Sequence, residues 1–360
     1  MNIDTSEHEL SLIFIGDVMG HGPQITSAYD EEKKAYDYNS VFQYIAPVMQ
    51  DADYTIANLE VTLAGPPYKG YPQFSSPDEL AVACKNAGVD IMVTSNNHTC
   101  DRGGKGIVRT VQVLDSLGFM RTGSFCDSTD RKHHTPLIIE NDCFRIAILN
   151  YTYGTNGLNF PEPTIVNLLD KDIIAADMEK AKASNVDKII VVTHWGLEYK
   201  REPVQSQIAW GEYIFDQGAD IVIGSHPHVL EKMVWEKSTN DGGKEELITY
   251  SLGNFVSNQR NPRTDGGALF KLTLGKKDDQ CYIKNSGYIL SWVYTPIEEG
   301  KKKYYILPAS QYENDTAFFD SMDSFNQMQA FIKDSRELFN EQNVNVPEYI
   351  YQNEKWILNQ

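Results

Sequence analysis

Short apolar runs rich in β-branched residues recur along the first two thirds of the chain, at 10–15, 54–57, 89–93, 145–149, 188–192, 221–223 and 247–250. Each run ends in a cluster of polar residues, and most are followed by a stretch with helical spacing of apolar positions. Runs this short and this uniformly apolar suit strands buried on both faces. The intervening segments carry helix punctuation. Ser76-Pro77-Asp78-Glu79 predicts a cap, a first-turn proline and a glutamate at the third helical position, with Gly88 closing the helix. The 104–117 segment sets Ile107, Val108, Val111 and Leu114 on one face and stops at Gly118, and 170–184 and 203–217 follow the same pattern. Alternating strand and helix predicts an α/β fold with a sheet that is parallel in large part.

Beyond about residue 245 the texture changes. Strands are predicted at 247–256, 268–274, 281–293 and 303–307 without helices between them, joined by Gly- and Lys-rich turns. They would extend a second sheet or form a mixed one packed against the first. The 321–339 segment spaces Phe325, Met328, Phe331, Ile332 and Leu338 as a helix does, with a polar tail after it. No repeat or linker interrupts the chain, so one domain is expected over 1–310, with 311–360 a helical extension packed on it. The 301–303 lysine run reads as a hairpin turn, and His133-His134, beside Asp130, Arg131 and Lys132, as a solvated loop.

The chain of 360 residues is 41% hydrophobic, enough for an ample core and against wholesale disorder. Its net charge of −18 argues against coating duplex DNA or an anionic membrane, which takes basic faces. A small phosphorylated or carboxylated substrate is still compatible, because bound metal ions reverse the local sign. No apolar run approaches the roughly 20 residues a membrane span needs. The acidic, polar opening MNIDTSEHEL lacks the order of a signal peptide, so the chain reads as soluble as given. Its five cysteines are odd in number and contain no C-x-x-C pair, which predicts free thiols.

The chemistry gathers where the strands end, and in open α/β sheets ligands bind beyond the carboxyl ends of strands. Those ends read Gly16-Asp17 with His21, Asn58-Leu59-Glu60, and Ser95-Asn96-Asn97-His98 with Asp101. They continue with Thr193-His194-Trp195-Gly196 and Glu198, Gly224-Ser225-His226-Pro227-His228, and Ser251-Leu252-Gly253-Asn254-Phe255. Five of the eight histidines, His21, His98, His194, His226 and His228, fall there. Imidazole together with carboxylate and amide oxygen is the donor mix of zinc, manganese and iron sites. Tyr151, Tyr153, Trp195 and Tyr199 lie beside these ends in sequence and are candidates to line a substrate groove; Asn58, His21 and Asn254 are further candidate substrate contacts.

Together these six motifs, in order from about residue 10 to 275, resemble the CapA family of bacterial capsule-synthesis (poly-γ-glutamate biosynthesis) proteins. That family is similar in turn to calcineurin-like metallophosphoesterases. The resemblance implies a four-layer sandwich, two packed β-sheets flanked by helices, with two divalent metal ions at the strand ends (manganese, zinc, iron or magnesium). It places Asp17, Glu60, Asn97, His194, His226 and His228 on metal-ligand positions, Glu60 standing where the superfamily has a bridging aspartate. His98, oriented by Asp101, falls on the histidine that polarises substrate or protonates the leaving group, and Glu198 joins them as a candidate catalytic residue. Met19 stands where the phosphoesterases carry a histidine, with His21 a candidate replacement. Two functions remain open at this stage: a metal-dependent hydrolase of envelope-polymer metabolism, or a polymer-binding assembly factor that keeps the pocket without turnover. Either implies an anionic polymer or related small molecule as ligand, other capsule-synthesis proteins as partners, and an association with the cell envelope.

Overall fold

In the computed structural model, residues 7–141, 143–237 and 244–359 are described; the leading polar segment, residues 1–6, lies outside them. Two mixed sheets carry the fold. The larger has the strand order Tyr305–Pro308, Gln280–Tyr294, Gly266–Lys277, His8–Val18, Tyr54–Leu59, Ile91–Val93, Met120–Thr122. The last four run parallel, and the others join antiparallel beside His8–Val18. The smaller has the order Leu230–Lys237, Glu245–Leu252, Ile221–Ser225, Lys188–His194, Arg145–Thr152, Leu137–Glu140, with a parallel centre and an antiparallel strand at each edge.

The two-residue period of the strands produces the layers. Leu10, Leu12 and Phe14 face Ile146, Ile148, Ile190, Val192, Ile221 and Ile223 in one core between the sheets. The alternate residues Ile13, Ile15, Ala57 and Leu59 pack under Phe42, Leu80, Ala83 and Leu114 on the outer face of the larger sheet. Ala147, Leu149, Val191 and Val222 do the same under Ile174, Met178 and Ile214 on the smaller one. The result is the four-layer α/β sandwich.

Several expectations change in detail. The predicted 247–256 strand is two: Glu245–Leu252 belongs to the smaller sheet, the chain crosses at Gly253, and Asn254–Val256 pairs with the end of His8–Val18 in the larger. The later strands extend the sheet that His8–Val18 begins. The helix after Ser76 spans Glu79–Asn86 and makes no side-chain cap; the Asp78 carboxylate instead grips the Arg109 guanidinium with two bonds of 2.7 and 2.9 Å. His133 and His134 end a helix, Ser128–His134, capped by the Asp127 side chain, rather than sitting in a loop. At the C-terminus the helix Met322–Gln342 sets Phe331, Ile332, Leu338 and Phe339 into the inter-sheet core, and a hairpin, Tyr349–Gln352 with Lys355–Leu358, follows it. All five cysteines are free thiols.

Candidate metal centre

The carboxyl ends of the parallel strands in both sheets meet at one place. Asp17 sits on the last turn of His8–Val18, where the crossing at Gly253 brushes past: Asp17 N–H donates to the Gly253 carbonyl at 3.0 Å. A Cβ at Gly16 would come 2.1 Å from that same carbonyl, so glycine is required there. Asn58 bridges the sheets, its Nδ2 lying 2.8 Å from Asp17 Oδ1, 3.2 Å from His194 Nδ1 and 3.3 Å from Ser225 Oγ. His194 Nε2 faces Asn97 Oδ1 at 2.9 Å and Glu60 Oε1 at 3.4 Å. His228 Nδ1 lies 3.1 Å from both Asp17 Oδ2 and Asn254 Oδ1, and its Nε2 is 3.8 Å from Glu60 Oε1.

His226 and His228 both adopt left-handed backbone, with φ of 101° and 58°, which turns the two rings of the His-Pro-His segment toward one centre. The His226 ring is 4.7 Å from that of His194 and 4.6 Å from that of Tyr153. The segment is tied down by Tyr199 N–H, which donates to the Pro227 carbonyl at 2.8 Å.

Two sets of donors emerge, each with its atoms within 4.8 Å of one another: Glu60, His194 and His226, and Asp17, Glu60 and His228. Glu60 belongs to both. It is fully buried and neither of its carboxylate oxygens has a hydrogen-bond partner, nor does the buried Nδ1 of His226. Burying such groups unpaired is expensive, whereas a cation between them satisfies all three atoms, so the residues fit divalent metal. The electrostatics agree. Burial and the neighbouring Asp17 charge push the Glu60 carboxyl well above its ordinary value. Burial pushes Asp17 up, but the hydrogen bond and charge of His228 outweigh it and hold Asp17 at about 2. Burial keeps His194 neutral, down to about 3. His228 is raised to about 9 against its burial, by Glu60 and Asp17. Two acids and three imidazoles are thus buried side by side, with the Glu60 oxygens and His226 Nδ1 left without partners.

Beside this cluster, His98 Nδ1 meets Asp101 Oδ2 at 2.8 Å, and that same oxygen accepts the Phe74 backbone N–H at 2.7 Å. The Phe74 ring stands edge-on to His98 at 4.6 Å and to His21 at 5.2 Å, so His21 is brought to the periphery of the cluster. There it is held by Gln24 and by the Asn258 N–H, 3.3 Å from its Nδ1. Met19 takes no part, being buried in the core under the helices. Glu198 lies exposed on the loop after His194, and its charge acts on His194 and His228.

Tyr153 is half exposed over His194 and His226, and Tyr199 over His228, where both form part of the rim. Tyr151 and Trp195 do not reach it. Tyr151 points through the opposite face of its sheet to Asp177 at 3.2 Å, and Trp195 stacks on Tyr250 and donates to its carbonyl at 3.0 Å. Phe74 escaped the sequence reading because it lies in an irregular segment with no pattern around it. Ser225, which meets His194 Nδ1 at 3.1 Å, stood out there only as a small residue.

Fold and cluster define an α/β sandwich with a buried histidine–carboxylate centre at the junction of its two sheets. The family described as bacterial capsule synthesis protein PGA_cap matches residues 11–259, a span that takes in every residue of the cluster, and the chain belongs to that family. The capsule biosynthesis protein CapA of Bacillus anthracis is 30% identical over 310 residues, covering 82% of this chain and 69% of that protein. The PGA biosynthesis protein CapA of Bacillus subtilis is 30% identical over 281 residues, covering 75% and 69%. Solved structures of similar outline include a phosphatase from Mycoplasma pneumoniae (TM-score 0.46, 15% identity, 79% of this chain and 94% of that one). Another is the calcineurin-like phosphoesterase YfkN of Bacillus subtilis (TM-score 0.47, 14% identity, 92% and 99%).

Proposed function

We propose that the chain is a metal-dependent hydrolase of capsule-polymer metabolism, with two sets of donors, Glu60 in both, that would hold divalent cations, and a γ-linked glutamate polymer as its substrate. The observation that carries this reading is Glu60 itself, a fully buried carboxylate with no hydrogen-bond partner, common to two sets of histidine and acid donors. Asp17, Glu60 and His228 would hold one cation, and Glu60, His194 and His226 the other, with Asn97 within reach through His194. Bound there, such cations supply positive charge against the oxyanion that develops on a reacting phosphoryl or carbonyl group. The imidazole donors favour zinc or iron over magnesium, and the carboxylates also suit manganese.

The chain's own residues supply the rest. Asn58 Nδ2 donates to Asp17, while beside it Ser225 Oγ can accept the Nδ1–H of His194, leaving Nε2 turned to the centre. Asn254 does the same for His228 from the crossing strand. Asp101 holds His98 by Nδ1, so that Nε2 is the atom left to hold or deliver a proton, and Phe74 fixes both the carboxylate and the ring. Tyr153 and Tyr199 at the rim present flat faces to a substrate chain. Work at the cell envelope beside other capsule-synthesis proteins accords with the named relatives.

Elemental analysis before and after loading with Mn²⁺ or Zn²⁺, beside a His194→Ala control, tests the reading. About two metals per chain, reduced in the variant, with metal-dependent hydrolysis on a panel of phosphoesters and amides, is the expected result. A protein that takes up no metal under any of these conditions would refute it and return a polymer-binding role.

A further inference from the structure

Away from the histidine cluster, a cavity of about 730 Å³ opens between the loop that follows Asn254–Val256 and the helix Met322–Gln342. Arg260, Arg263 and Lys302 line it, against Asp265 and Asp334. The Asp334 carboxylate is already matched by Arg201 at 2.7 Å and Arg263 at 3.1 Å. On a chain of net charge −18, a cavity where cations outnumber acids is out of character.

The donors are built in rather than scattered. Arg260 is held over the Trp292 ring at 5.5 Å and gives one N–H to the Val293 carbonyl at 2.7 Å, which uses one of its five. Lys302 Nζ is steadied by Asn258 Oδ1 at 3.2 Å. Asp265 is 7% exposed; its Oδ2 takes the Trp292 indole N–H at 2.7 Å, but its Oδ1 is buried without a partner. A ligand for this cavity therefore needs negative groups for the cations and an N–H for Asp265. Polyphosphate has the first and lacks the second.

The cavity is also wired to the centre. Asn258, which steadies Lys302, donates its backbone N–H to His21, and Gln259 beside it joins Asn254 Nδ2 at 3.0 Å to the Tyr199 hydroxyl at 3.3 Å. One short loop thus forms a wall of the cavity and part of the rim.

We propose that this cavity is a subsite for an acidic polyamide chain, taking side-chain carboxylates at Arg260, Arg263 and Lys302 and an amide N–H at Asp265 Oδ1. The assignment deepens the reading of the centre as one that acts on a γ-linked glutamate polymer, and it rests on that reading for the polymer's identity. The N–H groups of Arg260 beyond the one given to Val293, and the Lys302 ammonium, suit carboxylates, and a repeating amide supplies the N–H that Asp265 lacks.

The test is titration calorimetry of the whole chain, stripped of metal by chelation, with a short γ-linked glutamate oligomer. The oligomer is expected to bind, with affinity falling roughly tenfold in Arg260→Gln and in Lys302→Gln. A γ-linked glutamine oligomer and an inorganic polyphosphate should each bind more weakly than the glutamate oligomer. Arg260→Gln and Lys302→Gln, assayed for metal before chelation, should take up as much as the wild type, which separates this subsite from the centre. If Arg260→Gln melts early, Arg263→Gln at the exposed lip replaces it. Unchanged affinity in these variants at wild-type melting temperature overturns the proposal. So does an oligomer that fails to bind the wild type, or polyphosphate binding as tightly, and neither bears on the metal content of the centre.

Discussion

At the scale of single residues, the centre is held by groups that would be unfavourable anywhere else. His226 and His228 sit at positive φ, a conformation that costs about 1–3 kcal/mol per non-glycine residue. Two left-handed histidines around one proline persist because the Tyr199, Asp17 and Asn254 contacts over-determine them. Gly16 is the opposite case, a residue valued for what it lacks. Gly16→Ala would drive a methyl into the Gly253 carbonyl, and a loss of about 1–3 kcal/mol in thermal or denaturant unfolding is expected, with weaker metal uptake because Asp17 shifts with the strand end. Wild-type melting and metal content together would refute that. Asp101→Asn tests the neighbouring dyad: metal content should hold while turnover of a responsive phosphoester or amide falls roughly 10²-fold or more, since the carboxylate that orients His98 and ties down Phe74 is lost away from the metal donors. Parity explains which of these residues a sequence can reveal. Polar groups that follow apolar runs make Asp17, Asn58, His194 and His226 candidates as a set, and none of them alone. Tyr151 and Trp195 mislead because they are neighbours in sequence of Thr152 and His194, and neighbours on a strand face opposite ways; counting from Ala147 and Leu149 puts Tyr151 in the outer core.

At the scale of elements, long periodic segments are legible and short or edge strands are not. The helix at 171–183 begins at Asp170, whose side chain accepts the N–H groups of Asp172 and Ile173, as its sequence predicts. Met120–Thr122 is too short for any period to show, and Leu230–Lys237, LEKMVWEK, hides its alternation behind charges because it is an edge. That edge strand buries Glu231, whose Oε2 takes Gln207 Nε2 at 2.6 Å while Oε1 has no partner. Gln207 in turn caps the helix Gln205–Asp216 by accepting the Val204 N–H, so the carboxyl braces a helix start. Burial, opposed by the Gln207 hydrogen bond, lifts Glu231 to about 8 from an ordinary value of 4.5. The folded chain therefore holds a proton there that the unfolded chain releases. Its share of stability is full below about pH 4.5 and is lost as pH rises through about 8. Unfolding free energy measured across that window should fall less steeply in Glu231→Gln than in the wild type, and identical slopes would show that Glu231 does not titrate there. The C-terminal helix offers a packing counterpart: Phe339, 2% exposed with its ring 4.4 Å from that of Tyr288, should cost about 3–5 kcal/mol as Phe339→Ala in denaturant melts.

At the scale of the whole molecule, the net charge of −18 sets a problem for a protein whose proposed ligand is itself a polyanion. Among the described residues no helix is long and apolar enough to cross a membrane. An approaching polyanion meets the field of the folded chain. That field is repulsive at long range, while the attraction of Arg260, Arg263 and Lys302 is local to one cavity. The two reach over different distances. Salt shortens the reach of the field from roughly 30 Å at 0.01 M to about 8 Å at 0.15 M, but it weakens contacts inside a partly buried cavity much less. The association rate of a γ-linked glutamate oligomer, followed by tryptophan fluorescence in stopped flow, should therefore rise with salt over this range. The usual steering between opposite charges gives the reverse dependence. The same measurement on Lys302→Gln should show a faster dissociation and a similar rise in association rate, because the variant changes the cavity and hardly changes the field. An association rate that falls steadily with salt would mean that the oligomer meets the chain through a basic face larger than this cavity, and the division of labour between a repelling surface and an attracting pocket would be wrong.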